Sequence, residues 1–162
     1  MSFKNEESIL IGSKINNTWK MIKINTKQLG LLGELKAQYD FIKNGYEVSL
    51  PLGDYCAYDL IVLKDNKVFK IQVKSCEKII DGKINFNLTS ANYYCNKQYT
   101  LEDCDYFYLF CYENEQSYLL KNINIENNRG ITLRIEPTKN NQIKGIKFAK
   151  DYLFDITYAR MA

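Results

Sequence analysis

The chain has 162 residues and a mass of 19.0 kDa, a length that predicts a single domain, and 46% hydrophobic residues are enough to form a core. Its 22 Lys and Arg residues against 19 Asp and Glu give a net charge of +3, too weak a field to indicate a nucleic-acid partner by itself. It has no histidine, which excludes Ser-His-Asp triads, Cys-His proteases, His-ligated zinc and His-dependent one-metal nucleases.

The N-terminal part, residues 1–25, is expected to form an arm or short hairpin, because turn residues separate its apolar positions. A helix is expected from Thr26, where apolar residues begin to recur every three or four positions. These positions are Leu31, Leu35, Tyr39 and Ile42. Asn44 and Gly45 form a typical C-terminal stop for this helix.

Three short runs after the helix have the alternating or continuous apolar pattern of strands. They cover residues 46–50, 58–63 and 68–74. The first ends at Pro51, which cannot donate a backbone hydrogen bond to a sheet. The polar segment 64–67 separates the other two, and we expect them to form a hairpin.

The second half of the chain is expected to contain further strands and one irregular stretch. Strands are predicted at residues 83–88, 106–112, 117–120 and 131–135. Residues 89–103 are polar and aromatic, with weak helical character. The order of elements predicts an α/β fold with a mixed central sheet flanked by helices.

The central hairpin is expected to bring polar side chains together. With Asp65 and Asn66 as the turn residues, the register places Asp59 opposite Gln72, with Cβ atoms about 5 Å apart. Lys74 points to the same face as Gln72, because side chains alternate along a strand. The opposite, core face is expected to carry Phe69, Ile71 and Val73.

Two interpretations of this polar cluster are open. An aspartate, an amide and a lysine can form an ordinary surface salt bridge on a sheet with one solvated face. On a largely apolar hairpin, however, polar groups need partners, and their convergence also favours a functional site.

The pattern of these residues resembles the active-site signature of the PD-(D/E)XK nuclease superfamily. An aspartate, a hairpin and a (Glu/Gln)-x-Lys motif follow one another here, as Tyr58-Asp59 and then Gln72-Val73-Lys74. The preceding Gly30-Leu31-Leu32-Gly33-Glu34 resembles the glycine-and-acid element of these nucleases. Further segments are similar to the subgroup encoded within group I introns: 44–48, 58–62, 71–75, 99–107 and 117–120.

The resemblance implies a restriction-endonuclease-like core and Mg²⁺-dependent hydrolysis of phosphodiester bonds in double-stranded DNA by an intron-encoded homing endonuclease. It implies catalytic roles for Asp59, Gln72, Lys74 and Glu34. Asp59 and the backbone carbonyl of Val73, with Gln72 or Glu34, would hold the Mg²⁺ ion. Lys74 would orient the attacking water or stabilise developing charge.

Two residues depart from the family pattern. Tyr58 stands where the motif has proline, a residue that shapes the backbone. Gln72 replaces the acidic member and removes one negative charge from the cation site, although its carbonyl oxygen can still bind a hard cation. Asp54 is a rival ligand, and Glu34 has a second interpretation as a solvent-facing side chain on an amphipathic helix.

The resemblance also implies a DNA-contact surface within a single domain, residues 1–162. Its parts would be an N-terminal arm (1–25), a catalytic core (26–121) and C-terminal strands with DNA contacts (122–162). Candidate phosphate contacts are Lys70, Lys78, Lys83, Lys139, Lys144 and Lys147, each of which is otherwise a solvated surface lysine. A target longer than one small domain can read implies a homodimer or homotetramer.

Other functions remain open from the sequence. A Holliday junction resolvase or repair-type nuclease would use a related fold, and a nucleic-acid-binding module could have lost catalysis through Gln72. Gly30 and Gly33 either let a phosphate backbone approach the helix or serve helix packing.

The remaining composition predicts a cytoplasmic protein without membrane contact. Its five cysteines include no CxxC pair and their number is odd, so we expect reduced, mostly buried thiols. No apolar run approaches the roughly 20 residues that span a bilayer. We do not interpret the 13 tyrosines as base-stacking platforms, because AT-rich codons also explain their number.

Overall fold

The computed structural model describes residues 9–15, 18–53, 55–91, 96–125, 129–137, 142–158 and 161. The described strands are β1 (Ile9–Ile15), β2 (Thr18–Ile24), β3 (Glu47–Ser49), β4 (Leu60–Lys64), β5 (Lys67–Cys76), β6 (Lys83–Asn87), β7 (Thr89–Ala91), β8 (Asn96–Gln98), β9 (Tyr106–Cys111), β10 (Gln116–Lys121) and β11 (Gly130–Arg134). The α-helices are α1 (Thr26–Lys43) and α2 (Phe154–Thr157). Two 3-10 turns cover Asn122–Ile125 and Ala149–Tyr152.

A five-stranded mixed sheet forms the centre of the fold, in the order β10-β9-β5-β4-β3. Strands β5 and β9 are parallel, and the other neighbours are antiparallel. Three two-stranded antiparallel sheets accompany it: β1 with β2, β6 with β11, and β7 with β8. The described part of the chain contains no helix long and apolar enough to cross a membrane.

The β4–β5 hairpin has the predicted register. Leu60 pairs with Ile71 and Lys64 pairs with Lys67. The two turn residues, Asp65 and Asn66, have φ values of 49° and 61°. Two consecutive positive φ angles are typical of the type I′ turn, whose twist matches that of the flanking strands. The local turn chemistry therefore sets which residues face each other across the hairpin.

Helix α1 begins at a capping box and ends at the predicted stop. The Asn25 side chain accepts from the Gln28 backbone, and the Gln28 side chain accepts from the Asn25 backbone. At the other end, Gly45 adopts a φ of 80°, which favours glycine.

The helix packs on the sheet with a different face from its apolar stripe. Leu31, Leu35, Tyr39 and Ile42 point outward and are between 49% and 60% exposed. The buried face carries Leu29, Gly33, Ala37, Asp40 and Phe41. A Cβ at Gly33 would lie 2.1 Å from the Ser75 hydroxyl, whereas one at Gly30 would meet nothing within 4 Å. Gly33 therefore serves close packing of α1 on β5, and Gly30 borders open space.

Two hydrophobic clusters cover opposite faces of the central sheet, as the alternation along β9 makes clear. Tyr108 and Phe110 belong to the cluster under α1, and Phe107, Leu109 and Cys111 belong to the other. The α1 cluster also contains Phe154 of α2. The second cluster is closed by four residues of β6 and β11: Ile84, Phe86, Ile131 and Leu133. Helices thus cover one face, and the β6–β11 sheet covers much of the other.

A buried polar network ties α1 to the sheet. One Asp40 carboxylate oxygen accepts from the Tyr108 hydroxyl at 2.5 Å and from the Ser117 hydroxyl at 2.9 Å. The other oxygen pairs with Lys36 at 2.5 Å. Because Asp40 is only 8% exposed, losing one of these partners would leave a buried charge less compensated.

One sequence expectation is wrong. The weak helical character of residues 89–103 is not realised, since their described residues form β7, β8 and a turn at 101–103. Four cysteines lie in the described part of the chain and all are free: Cys56, Cys76, Cys104 and Cys111. Cys95 lies outside it.

Candidate active site

The predicted polar cluster forms where strand β4 begins. Asp59 lies in a bend directly before β4, and its backbone N–H donates to the Ile71 carbonyl at 2.9 Å. Its carboxylate oxygen Oδ2 accepts from the Val73 backbone N–H at 2.7 Å and from Gln72 Nε2 at 2.5 Å. The Asp59 side chain therefore satisfies a β5 backbone donor that lies beyond the start of β4.

Gln72 is 6% exposed and makes its contacts with the nitrogen end of its amide. Besides Asp59, Nε2 contacts the Val73 carbonyl oxygen at 3.3 Å. An amide that donates to a carboxylate favours the ionised form of that carboxylate. Gln72 thus supports the Asp59 charge without adding a charge of its own.

Lys74 reaches the site from the same face of β5 and is held by two oxygen atoms. Its Nζ atom donates to the Thr89 carbonyl at 3.2 Å and to the Tyr99 hydroxyl at 3.1 Å. It also lies 5.0 Å from the centre of the Tyr99 ring. Burial lowers the pKa of Lys74, and the nearby Asp59 carboxylate opposes that shift.

Glu34 completes the cluster from helix α1. It lines a cavity of about 380 Å³ together with Gly30, Asp59, Gln72 and Lys74. Burial raises the pKa of Glu34, and the Asp59 carboxylate raises it further. Burial also raises the pKa of Asp59, against the opposing effects of the Val73 N–H, Lys74 and Gln72. The two carboxylates therefore lie in a cavity that disfavours their negative charge.

These residues fit a hard cation. Two partly desolvated carboxylates that repel each other are stabilised by a divalent ion placed between them. The described residues contain no cluster of three or more His, Cys, Asp or Glu with metal-binding geometry. Asp59 and Glu34 would therefore share the ion with neutral oxygens, such as the Val73 carbonyl, and with water, which Mg²⁺ retains readily.

The predicted phosphate contacts differ in exposure and in their local contacts. Lys78 and Lys144 are exposed, and Lys83 is half-buried on β6. Lys147 is half-buried with its Nζ atom 5.9 Å from the centre of the Tyr152 ring. The Nζ atom of Lys70 donates to the Glu102 carbonyl, which gives it a structural contact. Lys139 and the rival ligand Asp54 lie outside the described residues.

Two residues at this site were not identified from the sequence. Thr89 and Tyr99 position Lys74, yet they lie in the stretch to which the sequence assigned weak helical character. Because tyrosine is abundant in this chain, its composition did not single out Tyr99. The sequence did contain one signal for such residues, because a lysine on a buried hairpin face needs hydrogen-bond acceptors.

Comparisons with known proteins bear on the family and the fold of the chain. The family model described as PD-(D/E)XK endonuclease matches residues 24–155. Among solved structures, that of the bacterial homing endonuclease I-Ssp6803I is similar, with a TM-score of 0.65 and 25% sequence identity over 84% of this chain and 93% of that chain. No curated protein matches the chain significantly. The restriction-endonuclease-like α/β fold expected from the sequence is confirmed.

Because the pKa values of Asp59 and Glu34 are raised, we predict that the site lowers the stability of the folded protein more strongly at higher pH. Each folded-state pKa lies above the ordinary value, 3.8 for Asp and 4.5 for Glu. The folded protein therefore binds these protons more tightly than the unfolded chain, and the associated stability is lost as pH rises through the folded pKa values. An Asp59→Asn/Glu34→Gln variant should gain stability relative to wild type as pH rises from 4 to 7 in EDTA.

Urea unfolding at a series of pH values measures this difference. The Asp59→Asn substitution keeps a side-chain oxygen that can accept from the Val73 N–H. The control is Glu47→Gln/Asp151→Asn, which removes two exposed carboxylates and should show no comparable change. A wild-type advantage that is constant or grows with pH contradicts the electrostatic account of the site.

Proposed function

The chain belongs to the PD-(D/E)XK endonuclease family, and from this premise we propose that it is a Mg²⁺-dependent endonuclease that hydrolyses phosphodiester bonds of double-stranded DNA. The observation that carries the proposal is the convergence of Asp59, Gln72, Lys74 and Glu34 on one cavity. Carboxylates beside a held lysine match what phosphodiester hydrolysis requires: cation binding, and positive charge near the reacting phosphate.

Each residue has a defined task in this mechanism. Asp59 and Glu34 would hold the cation with the Val73 carbonyl. The cation, when bound, supplies an acidified water and neutralises charge on the phosphate. Lys74 is fixed by Thr89 and Tyr99, so that its charge is already in place when negative charge develops in the transition state.

Gln72 distinguishes this site from the family motif. Its amide nitrogen holds Oδ2 of Asp59, which leaves Oδ1 as the oxygen available to a cation. Rotation of the amide would present its oxygen to the ion instead and would break that hydrogen bond. Gln72 is therefore proposed as a residue that positions Asp59 and can serve as a neutral ligand.

A homing function encoded within an intron is the biological role that we propose, with activity in the cytoplasm. It is supported by the segments that resemble this subgroup and by the similar structure of a bacterial homing endonuclease. A catalytically silent DNA-binding module is the second candidate, because Gln72 leaves Asp59 with a neutral partner where the family motif has an acid.

We also propose that the chain forms a homodimer or homotetramer through the outer face of α1. Leu31, Leu35, Tyr39 and Ile42 form a stripe along three turns of this helix, and each is about half-exposed or more. Monomeric proteins seldom leave such a continuous apolar surface in water. A second copy is a suitable partner, because a two-fold contact places the apolar side chains of the stripe against one another.

The first test of the nuclease proposal removes the charges of the site. Asp59→Asn and Lys74→Met should each lower Mg²⁺-dependent cleavage of supercoiled plasmid by at least about 100-fold. DNA affinity measured in Ca²⁺ should change far less, since many phosphate contacts share it. The controls are Asp65→Asn and Lys67→Met, the same substitutions at the far end of the hairpin. Wild-type cleavage rates for both site variants would refute the assignment.

The second test concerns Gln72. Gln72→Ala should reduce cleavage and raise the Mg²⁺ concentration needed, because Asp59 loses a hydrogen bond. Gln72→Glu should lower the Mg²⁺ requirement by adding a carboxylate, without a necessary gain in rate, since only interactions stronger in the transition state increase it. Cleavage rates of both variants measured across a Mg²⁺ titration test these expectations. A silent wild type with an active Gln72→Glu variant would favour the silent-module candidate.

The third test concerns assembly. Sedimentation velocity at micromolar concentration should show a dimer or tetramer for wild type and smaller species for Leu35→Glu, which places charges opposite each other at the contact. Val68→Glu is the matched control, since Val68 is an apolar residue that is 60% exposed but lies on β5. A monomeric wild type, or equal dissociation by both variants, argues against the α1 contact.

A further inference from the structure

The β6–β11 sheet is a two-stranded antiparallel ribbon with one apolar and one polar face. Ile84 and Phe86 of β6, and Ile131 and Leu133 of β11, are buried against the central sheet. The alternate residues face outward: Lys83, Asn85 and Asn87 on β6, and Gly130, Thr132 and Arg134 on β11. In register, Lys83 faces Arg134, Asn85 faces Thr132, and Asn87 faces Gly130.

The outer face of the ribbon has the chemistry of a base-reading surface. Neither strand contains a carboxylate, and one end carries the cations Lys83 and Arg134. Asparagine can bind adenine with two hydrogen bonds, arginine can bind guanine in the same way, and the threonine methyl can contact thymine. The major groove, about 12 Å wide, admits a two-stranded ribbon whose strands lie about 4.8 Å apart.

Hydrogen bonds hold these side chains in defined orientations. The Thr132 hydroxyl donates to Asn85 Oδ1 at 2.7 Å, which directs the amide group of Asn85. Asn87 Oδ1 accepts from the Thr89 N–H at 3.0 Å and from its hydroxyl at 2.8 Å. Arg134 Nε donates to the Glu136 carbonyl at 3.2 Å. Side chains already oriented lose less conformational entropy when they bind.

The ribbon also has room for a base edge. Gly130 has no side chain, and its backbone packs closely on β6, since a Cβ there would lie 2.8 Å from the Phe86 carbonyl oxygen. The surface is concave here, with a volume of about 540 Å³. Asn85, Asn87, Arg129 and Gly130 are among the residues that line this depression.

The ribbon is connected directly to the candidate active site. Thr89, two residues beyond the outward Asn87, presents its carbonyl to Lys74 Nζ and binds the Asn87 side chain with its N–H and hydroxyl. The end of the ribbon and the catalytic lysine are thus held by the same residue. If the groove of a DNA duplex lay on the ribbon, the duplex backbone would run towards the candidate active site.

We propose that the outer face of the β6–β11 ribbon enters the major groove of the DNA substrate and determines sequence preference, with Asn85 and Arg134 contacting base edges and Thr132 positioning Asn85. The inference rests on the proposed nuclease function for its substrate. It assigns specificity to residues that do not take part in phosphodiester hydrolysis.

Selection from a pool of duplexes with a randomised central block tests this assignment. The pool is cleaved in Mg²⁺ by wild type, Asn85→Ala or Arg134→Ala, and the products are sequenced. Each variant should still cleave, but discrimination at one or a few adjacent base pairs should fall at least about 5-fold. Gln116→Ala and Lys121→Ala, exposed positions on β10, are controls that should keep the wild-type preference. Unchanged preferences for both ribbon variants would overturn the assignment.

A parallel binding selection separates this inference from the nuclease proposal. The same pool is incubated with each protein in EDTA, and the retained duplexes are sequenced. If wild type cleaves nothing but retains preferred sequences, and Asn85→Ala and Arg134→Ala lose that preference, the ribbon assignment stands while the nuclease proposal fails. A wild type with no sequence preference in either selection overturns the ribbon assignment.

Discussion

The site depends on one hydrogen bond, which the Val73 backbone N–H donates to the Asp59 carboxylate. Strand β4 starts at Leu60, so β5 extends beyond its antiparallel partner. A donor left in that position would be costly if buried without an acceptor. A carboxylate at the first residue before the strand satisfies it, and it also places a negative charge where the hairpin borders the cavity.

That arrangement has an energetic cost, which the surrounding residues offset in part. Burial disfavours the charged forms of Asp59 and Glu34, and the Asp59 carboxylate further disfavours the ionisation of Glu34. Lys74 lowers this cost for Asp59, while Thr89 and Tyr99 supply the oxygens that stabilise the lysine itself. The proposed cation would offset the remaining cost by neutralising the two carboxylates. The network around Asp40 holds α1 on the sheet and thus the position of Glu34.

Gln72 changes the charge and the hydrogen bonding of this site, although glutamine and glutamate are similar in size. A glutamate would add a third carboxylate to the cavity, whereas the glutamine donates a hydrogen bond to Asp59. The neutral side chain therefore reduces repulsion in the metal-free protein and also reduces the charge offered to a cation. Stability and cation affinity are expected to move in opposite directions when this residue is changed.

The hairpin and its register were predictable from the sequence, because the Asp65-Asn66 turn and the two-residue period of strands are local properties. The same local properties predicted that Asp59 and Gln72 face each other. Tertiary structure alone decided which face of α1 is buried: apolar residues occur on both faces, and the small Gly33 allows the closer approach to β5. It also decided that residues 89–91 and 96–98 form strands, and that Thr89 and Tyr99 hold Lys74, since these contacts join residues 15 and 25 positions apart. Local patterns do not encode such pairings, because they depend on how the sheets pack.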